Sequence, residues 1–298
     1  MNGCGRLGPR SSGWMGRGGK AGKRGSGEAG GQQIESQSWQ IRETPIVGNV
    51  PRFEIPGWQE RYGVIAGITG RGAEPGRGFD LGLWSKEPVG EVMSRWLAFR
   101  RGLPGFHAVA LGNQIHGVEL MNLDAGLGWI QVDRIDGWIT TAPGVLLTVT
   151  VADCVPLYLV APGRGVALLH AGWRGTAGRI LARGVERLKA ETGCLESEVV
   201  MHCGVAICGA CYEVGSEVML GCGASADGHG PWHIDLRERL VADALELGLT
   251  SISRSAWCSA HDSASFYSHR ASGGADGRMA AYIGIPTTDT SAPSRRLP

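Results

Sequence analysis

The sequence predicts an α+β fold: a single layered domain with mixed β-sheets flanked by helices. Three observations carry this. Short β-branched runs are interleaved with three or four stretches of helical periodicity. At least one pair of runs is joined by a tight turn signal, Ala161-Pro-Gly-Arg-Gly165, which makes a hairpin of Val155–Val160 and Val166–Leu169. No phosphate-binding glycine fingerprint follows the first strand, since Gly70-Arg-Gly72 is too short a match, and this argues against a doubly wound parallel sheet.

Residues 1–38 are Gly-rich and basic with almost no apolar side chains, so they cannot bury enough surface to offset their ordering entropy; they are expected to be a disordered extension. The folded domain is expected over residues 39–286. Its first strand is predicted at Tyr62–Thr69, followed by a Gly/Pro/Arg loop from Gly70 to Gly78. Val92, Met93, Trp96 and Leu97 share one face of a predicted helix over Val89–Arg101, which Gly102-Leu-Pro stops. Strands are predicted at Phe106–Leu111, Val118–Leu123, Gly137–Thr141 and Val145–Val151. Pro156 places the start of the Val155–Val160 strand at an edge or a bend. Ala177, Ile180, Leu181, Val185 and Leu188 set a helix over Gly175–Thr192, with Gly193 past its end. Val199–Met201 is a strand. Asp235-Leu-Arg-Glu238 has capping-box spacing for a helix running to Glu246, and a strand lies near Ile252. Gly277–Ile283 closes the domain, and residues 287–298 are a polar tail.

Composition narrows the function classes. Among 298 residues, 43% are hydrophobic, enough for a substantial core, and a net charge of +1 gives no argument for nucleic acid or membrane as a partner. There is no apolar run long enough to span a bilayer and no signal-type hydrophobic stretch at the N-terminus. Eight cysteines in a chain of this length do not read as a disulfide scaffold, and a reduced, cytoplasmic setting is expected.

The chemistry concentrates at the ends of strands. Cys154 leads into the hairpin and His170 leaves it, so the two can lie near each other. His116, between glycines in Gly112-Asn-Gln-Ile-His-Gly117, follows another strand. Three N/S ligands without an obvious fourth are the composition of a catalytic zinc site with an open position. The same Cys and His could instead be a nucleophilic pair, or simply a buried thiol and a hydrogen-bonded histidine. A rival cluster is Cys203, Cys208 and Cys211, spaced C-x4-C-x2-C, with Cys222 or Cys258 as a fourth ligand for iron–sulfur or structural zinc; its bland reading is a tight turn of small residues. Arg174, Arg270 and Arg278 each sit at a glycine-bearing turn and could form a wall for an anion, or be ordinary surface arginines. Asp153, beside Cys154, could orient a ligand or cap a turn.

Taken together, Asn113-Gln-Ile-His-Gly117, Thr150-Val-Ala-Asp-Cys154, His170-Ala-Gly-Trp-Arg-Gly175, Tyr212-Glu-Val-Gly215 and Ser268-His-Arg270 with Gly277-Arg-Met-Ala280 resemble the laccase-domain purine nucleoside phosphorylase family, also described as multicopper polyphenol oxidase. The resemblance spans roughly residues 55–285. It implies zinc held by His116, Cys154 and His170, which would then be both metal ligands and the catalytic centre. It also implies phosphorolysis of adenosine, inosine and methylthioadenosine, with an adenosine deaminase activity. Gln114, Arg174 and Arg270 are expected to contact substrate, the arginines holding phosphate. The sequence departs from the family pattern at Gly204-Val-Ala-Ile-Cys-Gly-Ala210, which lacks two prolines, at Asp80 in place of Asn, and at Ala271 in place of a second arginine. Copper at the trio is the other metal to consider. A blue-copper centre together with a trinuclear centre would need many histidines, and the chain has eight. A cysteine hydrolase using Cys154 and His170, and a zinc-stabilised binding module, are the alternatives from other classes.

Overall fold

The structure, a computed structural model, describes residues 40–72, 78–83 and 87–288. The expected extension at 1–38, the tail beyond 288 and the middle of the 70–78 loop lie outside the described residues.

Two seven-stranded sheets form the domain. The first runs, from edge to edge, β1 (Gln40–Ile41), β15 (Ser251–Ser255), β12 (Val200–Cys203), β10 (Val155–Ala161), β11 (Gly165–Ala171), β8 (Gly137–Thr140) and β6 (Leu120–Asn122). The second runs β2 (Thr44–Ile46), β3 (Arg52–Glu54), β4 (Ile65–Thr69), β16 (Met279–Gly284), β9 (Val145–Val151), β5 (Ala108–Asn113) and β7 (Gly128–Asp133). Both mix parallel and antiparallel pairs. A small ribbon joins β13 (Glu213–Val214) and β14 (Trp232–His233). The long helices are α2 (Val89–Arg101), α4 (Ile180–Thr192) and α6 (Leu236–Glu246); α1 (Trp58–Tyr62), α3 (Trp173–Ala177) and α5 (Ser216–Gly221) are short.

Alternation along the strands explains the layering. In β10, Leu157 and Leu159 point into a core shared with Leu181, Val185 and Leu188 of α4 and Leu240 of α6. Tyr158 and Val160 point the other way, into a core shared with Leu147 and Val149 of β9 and Ala281 and Ile283 of β16. The far face of the second sheet, through Leu146, Ala280 and Tyr282, packs on Val92, Trp96 and Phe99 of α2. The result is helices, sheet, sheet, helix. Strands buried on both faces carry continuous apolar runs, each such side chain contributing about 1.5–3 kcal/mol.

Several elements differ from the sequence expectation. The strand expected from Tyr62 begins at Ile65, because Trp58–Tyr62 is a turn of helix that Gly63 ends at φ 69°. The helix expected over Gly175–Thr192 is two helices, α3 and α4, broken where Arg179 takes φ 62°. Asp235 caps α6 by accepting from the Arg237 N–H at 2.9 Å, but Glu238 pairs with Arg254 at 2.9 Å instead of closing a capping box. Pro156 sits in an interior strand, not an edge; β12 pairs with β10 only from Leu157 onward, so the missing N–H costs no ladder bond there.

The topology sets the place of the site. β5 and β9 are parallel neighbours, so their C-terminal ends lie at the same end of the second sheet. From both ends the chain crosses to the first sheet, through 114–119 into β6 and through 152–154 into β10. Gln114 ties the two crossings: its Oε1 accepts from the Thr150 N–H at 2.7 Å and its Nε2 donates to the Thr150 carbonyl at 2.9 Å.

Candidate metal centre and cleft

His116 comes from the first crossing, Cys154 from the second, and His170 from β11, whose register sets His170 opposite Pro156. One ligand atom from each lies within 4.8 Å of the others. The imidazoles of His116 and His170 meet edge to face with centroids 4.8 Å apart. Two non-glycine residues at this corner have left-handed backbone, His116 at φ 61° and Asp153 at φ 87°. Such conformations cost energy and persist where the surroundings enforce them, as at sites. Gly172 leaves the space beside the donors open: a Cβ there would stand 3.1 Å from Cys154 Sγ and 3.2 Å from His116 Cδ2.

Asp136, just ahead of β8 and fully buried, organises the trio. Its Oδ1 accepts from His170 Nδ1 at 2.9 Å and from the His116 N–H at 2.9 Å; its Oδ2 accepts from the N–H groups of Gly117 at 2.8 Å and Ile115 at 3.3 Å. With Nδ1–H given to Asp136, Nε2 of His170 is the nitrogen left to ligate. Burial alone would raise the Asp136 pKa, but the His170 hydrogen bond and charge and the Gly117 and Ile115 amides hold it below the ordinary carboxylate value. Burial likewise opposes the Cys154 thiolate, yet the His170 charge, then hydrogen bonds from His116 and His170, bring the thiol down to about 6. Burial opposes the His170 imidazolium too, and Cys154 and Asp136 outweigh it, raising His170 to about 9. Without a metal both shifts favour the thiolate–imidazolium form of the pair. Two imidazoles and a thiolate converging on one point are a donor set that zinc and copper both accept. The residues present therefore fit a metal.

The trio opens on a cleft of about 1190 Å³, lined also by Gln114, Trp173, Tyr212 and the arginines 71, 174, 270 and 278. Arg174 lies over the Trp173 ring, 4.5 Å from its centroid, and its guanidinium has no hydrogen bond or ion pair among the described residues. Arg270 donates to the Glu213 carbonyl and covers the Tyr212 ring at 5.0 Å. Arg278 is spent on the carbonyls of Asp276 and Gly277, at 2.9 and 3.0 Å. Asp80 fits its place as a pure acceptor, taking the N–H groups of Gly82 at 2.8 Å and Arg278 at 2.7 Å.

Asp153 does not contact the trio's histidines as an orienting carboxylate; it accepts from Ser259 Oγ and from the Arg270 N–H, both at 2.6 Å, and so holds the 259–270 segment. The rival C-x4-C-x2-C cluster also comes apart. Cys203 is buried in β12 and Cys222 lies under Trp173, whereas Cys208 and Cys211 meet Cys258 and His261. Asp136 and His261 escaped the sequence reading. Asp136 precedes Gly137 like any turn aspartate, and its partners lie 19 to 34 residues away.

Fold and site define a class: two-sheet α+β proteins with a His–Cys–His donor trio where the chain crosses between sheets. Over residues 63–286 the sequence matches the family described as multi-copper polyphenol oxidoreductase laccase. The chain belongs to that family. It is 36% identical over 245 residues to a purine nucleoside phosphorylase of Deinococcus radiodurans, covering 79% of this chain and 91% of that protein. It is 32% identical to the adenosine deaminase RL5 of an unknown prokaryotic organism, covering 72% of this chain and 92% of that protein. The crystal structure of YlmD from Geobacillus stearothermophilus superposes with a TM-score of 0.70 at 28% identity, covering 82% of this chain and all (100%) of that one.

Proposed function

We propose that this protein is a zinc-dependent purine nucleoside phosphorylase acting on adenosine, inosine and methylthioadenosine, with adenosine deaminase activity. The observation that carries the reading is the convergence of His116, Cys154 and His170 at the wall of a cleft that Arg174 also lines. The names of the relatives supply the substrate class. His116, Cys154 and His170 would hold the ion. Bound there, zinc would supply Lewis acidity, the chemistry that activates water near neutral pH.

The chain's own residues do the rest. Asp136 fixes the tautomer of His170 and the backbone of His116, so the donors need no reorganisation. In phosphorolysis a phosphate oxygen bonds to the ribose anomeric carbon as the bond to the purine nitrogen breaks, and the base leaves with a proton. Arg174 and Arg270, which line the cleft, would hold that phosphate through their N–H donors. Gln114, locked onto Thr150, holds the wall beside them. In deamination, water adds to the purine carbon bearing the amine and ammonia departs, with no phosphate used.

The purified protein, given adenosine or inosine with and without phosphate, should release free base and ribose 1-phosphate only when phosphate is present. It should convert adenosine to inosine without it. No turnover of either nucleoside by the zinc-loaded protein would end the proposal. One observation favours a second reading, a cysteine hydrolase: Cys154 and His170 lie together, each shifting the other toward thiolate and imidazolium in the metal-free chain. Activity that survives chelation and dies on alkylation would select it.

A further inference from the structure

Away from the cleft, two turns bring four further donors together. Cys208 and Cys211 lie in the segment between β12 and β13, and Cys258 and His261 in the segment after β15; one ligand atom of each lies within 4.8 Å of all the others. We infer that Cys208, Cys211, Cys258 and His261 form a second metal site, a closed structural zinc clip that joins these two segments.

The spacing suits a single ion. Four ligands at zinc–sulfur and zinc–nitrogen bond lengths, set tetrahedrally, stand about 3.6 Å apart for sulfur to nitrogen and about 3.8 Å for sulfur to sulfur. Here one donor atom of each residue lies within 4.8 Å of the other three; the His261 ring stands between two of the thiols, Nδ1 3.6 Å from Cys208 Sγ and Nε2 3.2 Å from Cys211 Sγ, so one of its nitrogens would take the ion and the donors would close in by about 1 Å. A multi-iron cluster would hold its ligand sulfurs farther apart than this. Each half of the site is a C-x2-C or C-x2-H turn, closed by backbone bonds. Cys211 N–H and Tyr212 N–H both donate to the Cys208 carbonyl at 3.0 Å, and Asp262 N–H donates to the Cys258 carbonyl at 2.8 Å. The Cys208 N–H also points at Cys258 Sγ, 3.3 Å away, a donor suited to a metal-bound thiolate. The two segments already touch through an isolated bridge between Ala206 and Cys258.

With four protein ligands the coordination is full, which is the pattern of a structural site and leaves no place for substrate. None of the four lines the cleft, but their neighbours Ile207 and Tyr212 do. The clip also bears on the catalytic corner. Ile207 N–H donates to the Asp153 carbonyl at 3.1 Å, and Ser259 Oγ to the Asp153 side chain at 2.6 Å. Both clipped segments therefore grip the strained residue ahead of Cys154, so the ion would hold that turn from a distance.

The test uses the full-length chain carrying His116→Ala and His170→Ala, whose trio cannot hold metal. This protein is expected to retain one zinc per chain through desalting. Replacing it with cobalt(II) should give sulfur-to-metal charge transfer with the intensity of three thiolates and visible bands of a tetrahedral centre. Cys211→Ser should abolish the retained zinc. His261→Ala, an exposed position that leaves the buried thiol in place, should lower retention at least tenfold if Cys211→Ser does not fold. In the chain with its trio intact, metal loss at the clip should speed hydrogen exchange at 204–212 and 256–270. No retained zinc in the trio-less protein would overturn the site. So would iron with acid-labile sulfide at these residues, or a Cys208–Cys211 disulfide in protein prepared reduced and zinc-replete.

Discussion

Replacing Asp136 by Asn tests how the trio is assembled without touching a ligand. The carboxylate takes four donors, two on each oxygen: His170 Nδ1 and the His116 N–H on one, the Gly117 and Ile115 N–H groups on the other. An amide keeps the shape but offers one acceptor oxygen. If that oxygen faces His170, the amide N–H₂ meets the two loop N–H groups. If it faces the loop, the N–H₂ meets His170 Nδ1 and is satisfied only when His170 carries its proton on Nε2, which removes it as a ligand. Either orientation costs metal binding. Losing such an outer partner typically weakens affinity 10–100-fold, about 1.4–2.8 kcal/mol. Because the Asp136 carboxylate is fully buried, leaving donors unpaired there should also lower stability by about 1–3 kcal/mol. Competition against a chromophoric chelator, on protein whose fold is checked by near-ultraviolet circular dichroism, reads the affinity. A zinc affinity within twofold of the parent, in a folded Asp136→Asn protein, would show that Asp136 does not organise the trio.

Cys154→Ser or His170→Ala should reduce zinc at the cleft site well below one per chain by elemental analysis, and full retention in both would move the site elsewhere. In the metal-free chain, Cys154 should be alkylated by iodoacetamide at a rate that falls only as pH drops through about 6, because the thiolate is the reactive form and its pKa is depressed. His170→Ala, which removes the main charge favouring that thiolate, should shift this onset toward the ordinary thiol range, as followed by peptide mass spectrometry. Arg174→Lys keeps the charge but loses the planar fork; it should keep zinc and raise the phosphate KM in phosphorolysis by about tenfold (about 1.4 kcal/mol), with less effect on deamination. Equal loss of both activities would make Arg174 a structural residue. Deleting residues 1–38 should leave the melting temperature and activity unchanged, and a fall of several degrees would show that the segment packs on the domain.

What could be read from the sequence follows from how local each feature is. The Cys154–His170 pairing was legible because both residues flank one hairpin, and the antiparallel register of β10 and β11 then leaves them little choice but to meet. The layered α+β class was legible because strands buried on both faces cannot hide their apolar runs, as in Leu157 to Val160, where successive side chains feed two different cores. β1, β2 and β3 were missed because two or three residues are too few to show a period. The break between α3 and α4 was missed for the opposite reason: Ala177, Ile180 and Leu181 keep helical spacing straight through an interruption that only the backbone at Arg179 reveals.

The least legible features are those made by long-range contact, and they are also the ones that brace the site. Asp136 joins two ligand segments that lie on opposite sides of it in sequence, and nothing beside it marks the role. The cysteine spacing at 203, 208 and 211 suggested three ligands from one segment. The structure instead brings the last two together with Cys258, already a candidate fourth, and His261, because β12 and β15 are parallel neighbours and deliver their following turns to the same end of the sheet. The same rule places His116 and Cys154, where parallel β5 and β9 release their crossings side by side, and β11 brings His170 to them. In each case a parallel strand pair aligns two C-terminal ends, and donors from sequence-distant turns converge there; spacing within one turn reports only half of such a site. A spacing rule applied to pairs of turns that follow adjacent parallel strands would have found His261 beside Cys258.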